Sequence, residues 1–287
     1  MIATVDDIAA GVTLAAVQRQ SLLDALDFRV LLCHALHTSR VGLITGSERV
    51  LTAAEAQRFG ALVQRRLDGE PVAYLVGERE FFGLNFAVND AVLIPRPDTE
   101  LLVELALDRL PQHGKVLDMG TGSGAIAVSL AHTRRDAAVT ALDVSTAALA
   151  VARRNAEANG ACVTFMHSDW FAALEPAAQF DVIASNPPYI ASGDRHLAEG
   201  DLRFEPVGAL TDHADGLAAL RILVAGAPAH LVQHGQGWLL MEHGYDQAAA
   251  VRALLDAAGY TDVQSWRDLA GIERVSGGRL PAPHQAN

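Results

Sequence analysis

From Lys115 onward, short apolar runs alternate with helical patterns, and this alternation constrains the fold more than any other feature of the chain. Candidate strands are Lys115–Leu117, Val139–Leu142, Val163–His167, Phe180–Ser185 and Trp238–Glu242, with a last pair near Val263–Trp266 and Arg274–Gly278. Apolar runs spaced by helices predict an α/β fold, a mostly parallel sheet covered on both faces. Ser145 is placed to cap the helix after the second strand, and Gly160 to end it.

The preceding chain has a different rhythm. Leu22, Leu26, Val30 and Cys33 recur at helical spacing and predict one apolar stripe. Thr52 and Glu55 form a capping-box pair ahead of Phe59, Leu62, Val63 and Leu67, and Gly69 with Pro71 stops that helix. Phe81, Phe82, Leu84, Phe86 and Val88 around Gly83 and Asn85 read as a short hairpin. The expected division is a helical bundle over 1–73, a hairpin linker over 74–92 and an α/β domain over 93–287. Thr99 or Asp98 would cap a helix running to Leu110, with Pro95 and Pro97 stiffening its approach. Arg96 reads equally as a surface charge or a group reaching into a cleft.

A net charge of −12 argues against a protein that grips a nucleic-acid backbone by charge alone. Half of the 287 residues are hydrophobic, enough for a core without disulfides or metal. Cys33 and Cys162 lie far apart and read as small buried apolar residues in a reducing, cytoplasmic setting. The first residues lack the basic and apolar regions of a secretion signal, and no stretch approaches the roughly 20 apolar residues that span a bilayer. His34 and His37 read as helix-surface residues. His196, His213, His234 and His243 show no metal-ligand spacing and read as surface or loop residues, so no metal is expected. The tail from Pro281 to Asn287 is expected to be loose.

Two motifs carry chemistry. Asp118-Met-Gly120-Thr121-Gly122-Ser123-Gly124 follows the first candidate strand and opens a helix. Glycines allow positive φ and close approach of a ligand to the backbone. Gly120, Gly122 and Ala125 also fit a dinucleotide fingerprint, with Asp143 about 20 residues on as the ribose acid. Asp118 separates the readings. Its carboxylate would repel a pyrophosphate but favour a ligand carrying an ammonium and a sulfonium, S-adenosylmethionine. Asp143 would accept from the ribose hydroxyls, with Asp169 and Trp170 at the adenine.

The second motif ends the strand Phe180–Ser185 with Asn186, Pro187, Pro188 and Tyr189. Two prolines supply no ladder donor and cannot continue a central strand, so the turn is stiff. It presents an amide, donor-free carbonyls and an aromatic ring, a set suited to a planar NH2 group. The Asn186 side-chain oxygen and the Pro187 carbonyl would accept its two hydrogens, with the Tyr189 ring on its face.

Together the two motifs resemble those of class I S-adenosylmethionine-dependent methyltransferases acting on amide or amino nitrogen. Gly77-Glu-Arg-Glu-Phe-Phe-Gly83, Leu93-Ile-Pro-Arg-Pro-Asp-Thr-Glu100, Ser168-Asp-Trp170 and Arg203-Phe-Glu-Pro206 are similar to segments of the HemK/PrmC family, and the likeness runs to Glu273-Arg274-Val275. The resemblance implies a Rossmann-like seven-stranded sheet and methylation of a glutamine N5 in the Gly-Gly-Gln loop of class I peptide chain release factors. S-adenosylhomocysteine would be the product. It further implies that the N-terminal bundle and hairpin dock that partner, and that the cofactor is held by Gly120 to Gly124, Asp143, Trp170 and Asn186. Residues 203–206 would line the substrate groove. The expected protein is a monomer needing neither nucleic acid nor membrane. The rival readings are a nucleic-acid exocyclic-amine methyltransferase, which usually carries a basic recognition region, a non-catalytic adaptor, and a nicotinamide oxidoreductase.

Overall fold

The computed structural model describes residues 4–19, 22–198, 200–233 and 236–282. The chain forms two compact units, Met1–Glu78 and Arg79–Asn287. In the first, helices Ala25–Leu36 and Ala53–Leu67 carry the core. Phe28, Leu31, Leu32, Phe59 and Val63 are buried, and the Phe28 and Phe59 rings meet edge to face at 4.9 Å. The stripe expected from Leu22, Leu26, Val30 and Cys33 is not the core face, because Leu26 is 60% and Val30 37% exposed. Phe28, Leu31, Leu32 and Ala35 satisfy the same spacing, and Phe28 buries more apolar area. The capping box forms, with Thr52 N donating to Glu55 Oε2 at 2.9 Å and Glu55 N to Thr52 Oγ1 at 3.3 Å.

The hairpin pairs β1 (Glu78–Phe81) with β2 (Leu84–Ala87). Its two turn residues, Phe82 and Gly83, both have positive φ, the signature of a type I′ turn. Phe81 and Phe86 are buried in the same core as the helix Glu100–Arg109. Buried Asn155 fastens the hairpin to the glycine loop: it accepts from Ala87 N at 2.7 Å and donates to Ser123 O at 2.8 Å.

The main sheet comprises β3 (Lys115–Met119), β4 (Ala138–Asp143), β5 (Val163–His167), β6 (Val182–Ser185), β7 (Trp238–Glu242), β8 (Thr261–Arg267) and β9 (Glu273–Arg279). Its order is β5-β4-β3-β6-β7-β9-β8, with β9 antiparallel to both neighbours and the other pairs parallel. Every expected strand is present within two residues of its expected ends. Phe180 falls outside β6 and makes a single bridge to Leu231. Ser145 caps the helix Thr146–Ala158 by accepting from Ala148 N at 3.1 Å. Arg109 is held between the Trp238 and Trp266 rings, 4.5 and 4.6 Å from their centroids.

The order places the site. β4 and β5 extend the sheet on one side of β3, while β6 and β7 extend it on the other, so a crevice opens beyond the carboxyl ends of β3 and β6. The register pairs Met119 with Ser185, and Ser185 Oγ donates to Met119 O at 2.7 Å. Gly120 and Asn186 therefore follow directly on adjacent strands.

Two readings are corrected. The cysteines are not buried: Cys162 is exposed, because it sits in the loop between the helix Thr146–Ala158 and β5, and Cys33 is half-buried; both are free. His243 is fully buried rather than a surface residue. Its Nδ1 faces Gly244 O at 2.9 Å and its Nε2 faces Ser276 Oγ at 2.7 Å, and burial holds its pKa below the ordinary value. His234, the His196 side chain and the tail beyond residue 282 lie outside the described residues. Among those residues no helix is long and apolar enough to cross a membrane, and no group of three or more ligand-type side chains could hold a metal.

Candidate active site

A cavity of ≈ 300 Å³ occupies the crevice at the ends of β3 and β6. One wall is the glycine loop. Gly120 N and Thr121 N both donate to Leu142 O at 2.9 Å, which folds the loop back over β4. Gly120 (φ +74°) and Gly122 (φ +55°) line the cavity, and a Cβ built on either meets nothing within 4 Å. That open space lets a ligand approach the backbone. Gly124 (φ +84°) differs: a Cβ there would lie 3.1 Å from Ala152 Cβ, so this glycine serves packing of the following helix and does not line the cavity.

Thr121, Ser123, Asp143, Asp169 and Trp170 line the same cavity. Asp143 is fixed from behind, with Oδ2 accepting from Gly122 N and Oδ1 from Ser145 N, each at 2.8 Å. A carboxylate oxygen has a second lone pair, so both can still accept from a diol. Burial pushes the Asp143 pKa up. Trp170 adopts positive φ (+48°), held by Ser168 Oγ donating to its carbonyl at 2.6 Å.

Asp118 is completely buried beneath the loop instead of on the cavity wall. Its Oδ2 accepts from Thr121 Oγ1 at 2.6 Å and Ala127 N at 3.2 Å, and its Oδ1 has no partner among the described residues. Desolvation pushes its pKa up to about 7. The charge expected of it is therefore conditional: near neutral pH the neutral acid competes with the carboxylate.

The opposite wall contains Asn186 and Pro188, whereas Pro187 and Tyr189 do not line the cavity. Pro187 is buried behind it. Asn186 Nδ2 donates to Thr99 Oγ1 at 3.1 Å, which leaves Asn186 Oδ1 without a partner among the described residues. Thr99 Oγ1 donates to Glu242 Oε2 at 2.6 Å, and the Tyr189 hydroxyl donates to Glu242 Oε1 at 3.4 Å. Glu242 is buried at the end of β7, where desolvation pushes its pKa up to about 7; burial also raises that of Tyr189. Gln247 Nε2 donates to Tyr189 O at 2.9 Å and Gly216 O at 3.1 Å, fixing the far end of the turn.

Sequence reasoning missed this support. Thr99 was expected as a helix cap, but it makes no side-chain cap bond and gives its hydroxyl to Glu242 instead. The signal for Glu242 was available: it is an acid at the carboxyl end of a buried strand, the position that singled out Asp143. Arg96 and the 203–206 segment are also placed. Arg96 lines the cavity and pairs with Glu205, which is buried and accepts from Ile94 N at 3.0 Å, while Pro206 lines the same cavity.

Residues 15–77 match the PrmC N-terminal domain family, and residues 97–200 the methyltransferase small domain family. A release factor glutamine methyltransferase of Burkholderia pseudomallei is 60% identical over 277 residues, covering 94% of this chain and 96% of that protein. One from Neisseria gonorrhoeae is 52% identical over 260 residues, covering 90% and 94%. Among solved structures, a methyltransferase from Pyrococcus furiosus is similar in fold, with a TM-score of 0.53 and 22% identity, covering 77% of this chain and 98% of that one.

Proposed function

The chain belongs to the release factor glutamine methyltransferase family, and from that premise we propose that it moves a methyl group from S-adenosylmethionine to the side-chain N5 of the glutamine in a Gly-Gly-Gln loop. The partner is a class I peptide chain release factor in the cytoplasm, met by a single copy of the chain without nucleic acid, and the N-terminal helical bundle and the hairpin help to dock it. The observation that carries the reading is the shared cavity, which has an open glycine backbone on one wall and, on the other, an Asn186 Oδ1 with no partner among the described residues.

The residues present fit the donor. Gly120 and Gly122 leave room at the backbone, the Asp143 carboxylate has free lone pairs that would take the ribose hydroxyls, Asp169 and Trp170 would border the adenine, and the Asp118 oxygen that has no partner among the described residues lies beneath the loop. When bound, the donor supplies an electrophilic methyl on a sulfonium. An amide nitrogen is a poor nucleophile, because its lone pair is delocalised into the carbonyl. Asn186 Oδ1 on the cavity wall would accept one amide hydrogen and orient the nitrogen; Pro187 does not line the cavity, so its carbonyl would accept the second only once the turn presents it to a bound substrate. The Asn186 amide dipole, fixed by its bond to Thr99, would stabilise positive charge as it grows on nitrogen. Pro188 and Tyr189 bound the substrate side of the turn. The alkylated amide is acidic enough to lose its proton to water, so no dedicated base is required.

Mass spectrometry of a release factor co-expressed with this chain tests the proposal. One added methyl on the loop glutamine is expected, absent when the chain is omitted. Methylation of DNA or RNA oligonucleotides with none on the release factor would transfer the site to the nucleic-acid reading.

A further inference from the structure

A buried carboxylate that does not itself line the cavity needs a reason to be there. Glu242 is 1% exposed at the end of a strand that an apolar residue would fill equally well. Two hydroxyls, those of Thr99 and Tyr189, reach its two oxygens. The charged groups acting on it are Arg274, which favours its ionised form, and Asp98, which opposes it; Arg274 and Asp98 also pair with each other at 3.3 Å.

We propose that Glu242 is a positioning residue which, through the Thr99 hydroxyl, fixes the side-chain amide of Asn186 with Oδ1 toward the substrate. The proposal rests on the methyl-transfer reading of the cavity and deepens it. In its ionised form, which the nearby Arg274 favours against burial, Glu242 only accepts hydrogen bonds, and the orientation that follows belongs to that form. The single Thr99 hydroxyl hydrogen therefore goes to Glu242 Oε2 at 2.6 Å, and Thr99 Oγ1 is left to Asn186 as an acceptor. Only Nδ2 of Asn186 can meet an acceptor, as it does at 3.1 Å. A rotated Asn186 would set two acceptors against each other and offer N–H groups to a substrate NH2, which needs the opposite. The second Glu242 oxygen holds the Tyr189 hydroxyl, so one carboxylate fixes both ends of the Asn186–Tyr189 turn.

Full-length wild type, Thr99→Val, Thr99→Ser and Glu242→Gln test this by two readouts. One is the ¹⁵N–¹H signal pair of the Asn186 side-chain amide, and the other is steady-state methylation of a purified release factor. A Gln at 242 can donate as well as accept, so it no longer imposes a direction on Thr99. Wild type and Thr99→Ser are expected to show one exchange-protected, downfield Asn186 amide proton. Thr99→Val and Glu242→Gln should lose it and fall on the order of tenfold in kcat, with KM for S-adenosylmethionine unchanged. If Thr99→Val fails to fold, the Thr99→Ser and Glu242→Gln pair still decides. Glu242→Gln with the wild-type amide signal and wild-type kcat overturns the proposal. A wild type that shows the amide signal but never methylates a release factor overturns the functional reading instead, and leaves the orientation of Asn186 established.

Discussion

The two walls of the cavity are built by opposite strategies. The glycine wall is held from close by in sequence: Asp118 bonds Thr121 three residues on and Ala127 nine on, and Asp143 bonds Gly122 twenty-one residues back. The asparagine wall is held from far away. Asn186 leans on Thr99, 87 residues distant; Thr99 leans on Glu242, 143 residues distant; and Gln247 reaches back 58 residues to the Tyr189 carbonyl. A local wall can form as soon as its strand and helix do. A distant one depends on the finished sheet, and so its precision is a property of the whole second unit.

The sharpest way to break this contrast is to remove the one side chain that the distant wall exists to hold. Asn186→Ala should cost roughly 10²–10³ in kcat, the scale of losing one preorganised dipole, while the dissociation constant for S-adenosylmethionine changes far less. Turnover near the wild-type value would dissolve the asparagine wall as a catalytic feature. The glycine wall is tested by two substitutions that the sequence makes look equivalent. Gly122→Val puts a side chain into open cavity space at positive φ and should weaken donor binding by roughly tenfold or more. Gly124→Ala meets Ala152 at 3.1 Å and should instead cost stability, about 1–3 kcal/mol by thermal melting, with donor affinity nearly kept. Equal effects of the two on binding would mean that the loop acts as one unit.

The same contrast separates what is legible in the sequence from what is not. Strand positions, the Ser145 cap and the Thr52–Glu55 capping box depend on local patterns, and they stand where the patterns put them. Asn186 and the glycines were legible because short motifs encode strand–turn geometry. Thr99 was visible only as a cap and Glu242 only as a strand end, since nothing local says that residues 143 apart share a hydrogen bond. The helix Ala25–Leu36 failed for another reason: it carries apolar residues on two faces, and period alone does not choose between them.

The smallest predicted effect concerns the acid under the glycine wall. Burial raises the Asp118 pKa from 3.8 to about 7 in the folded chain. A carboxyl whose folded value is raised keeps its proton where the unfolded chain has already lost it, so its contribution is complete below about pH 4 and is lost as pH rises toward about 7. Asp118→Asn cannot titrate, yet its amide oxygen can still accept from Thr121 and Ala127. Its melting temperature relative to wild type should therefore climb between pH 4.5 and pH 8, on the scale of about 2–4 °C per kcal/mol. Glu242, also raised, and His243, lowered, titrate in both proteins and cancel from the difference. Parallel melting curves would show Asp118 ionised in the free protein, giving the glycine wall a permanent negative charge for a cationic donor and making its carboxylate, more than its open backbone, the reason that donor is chosen.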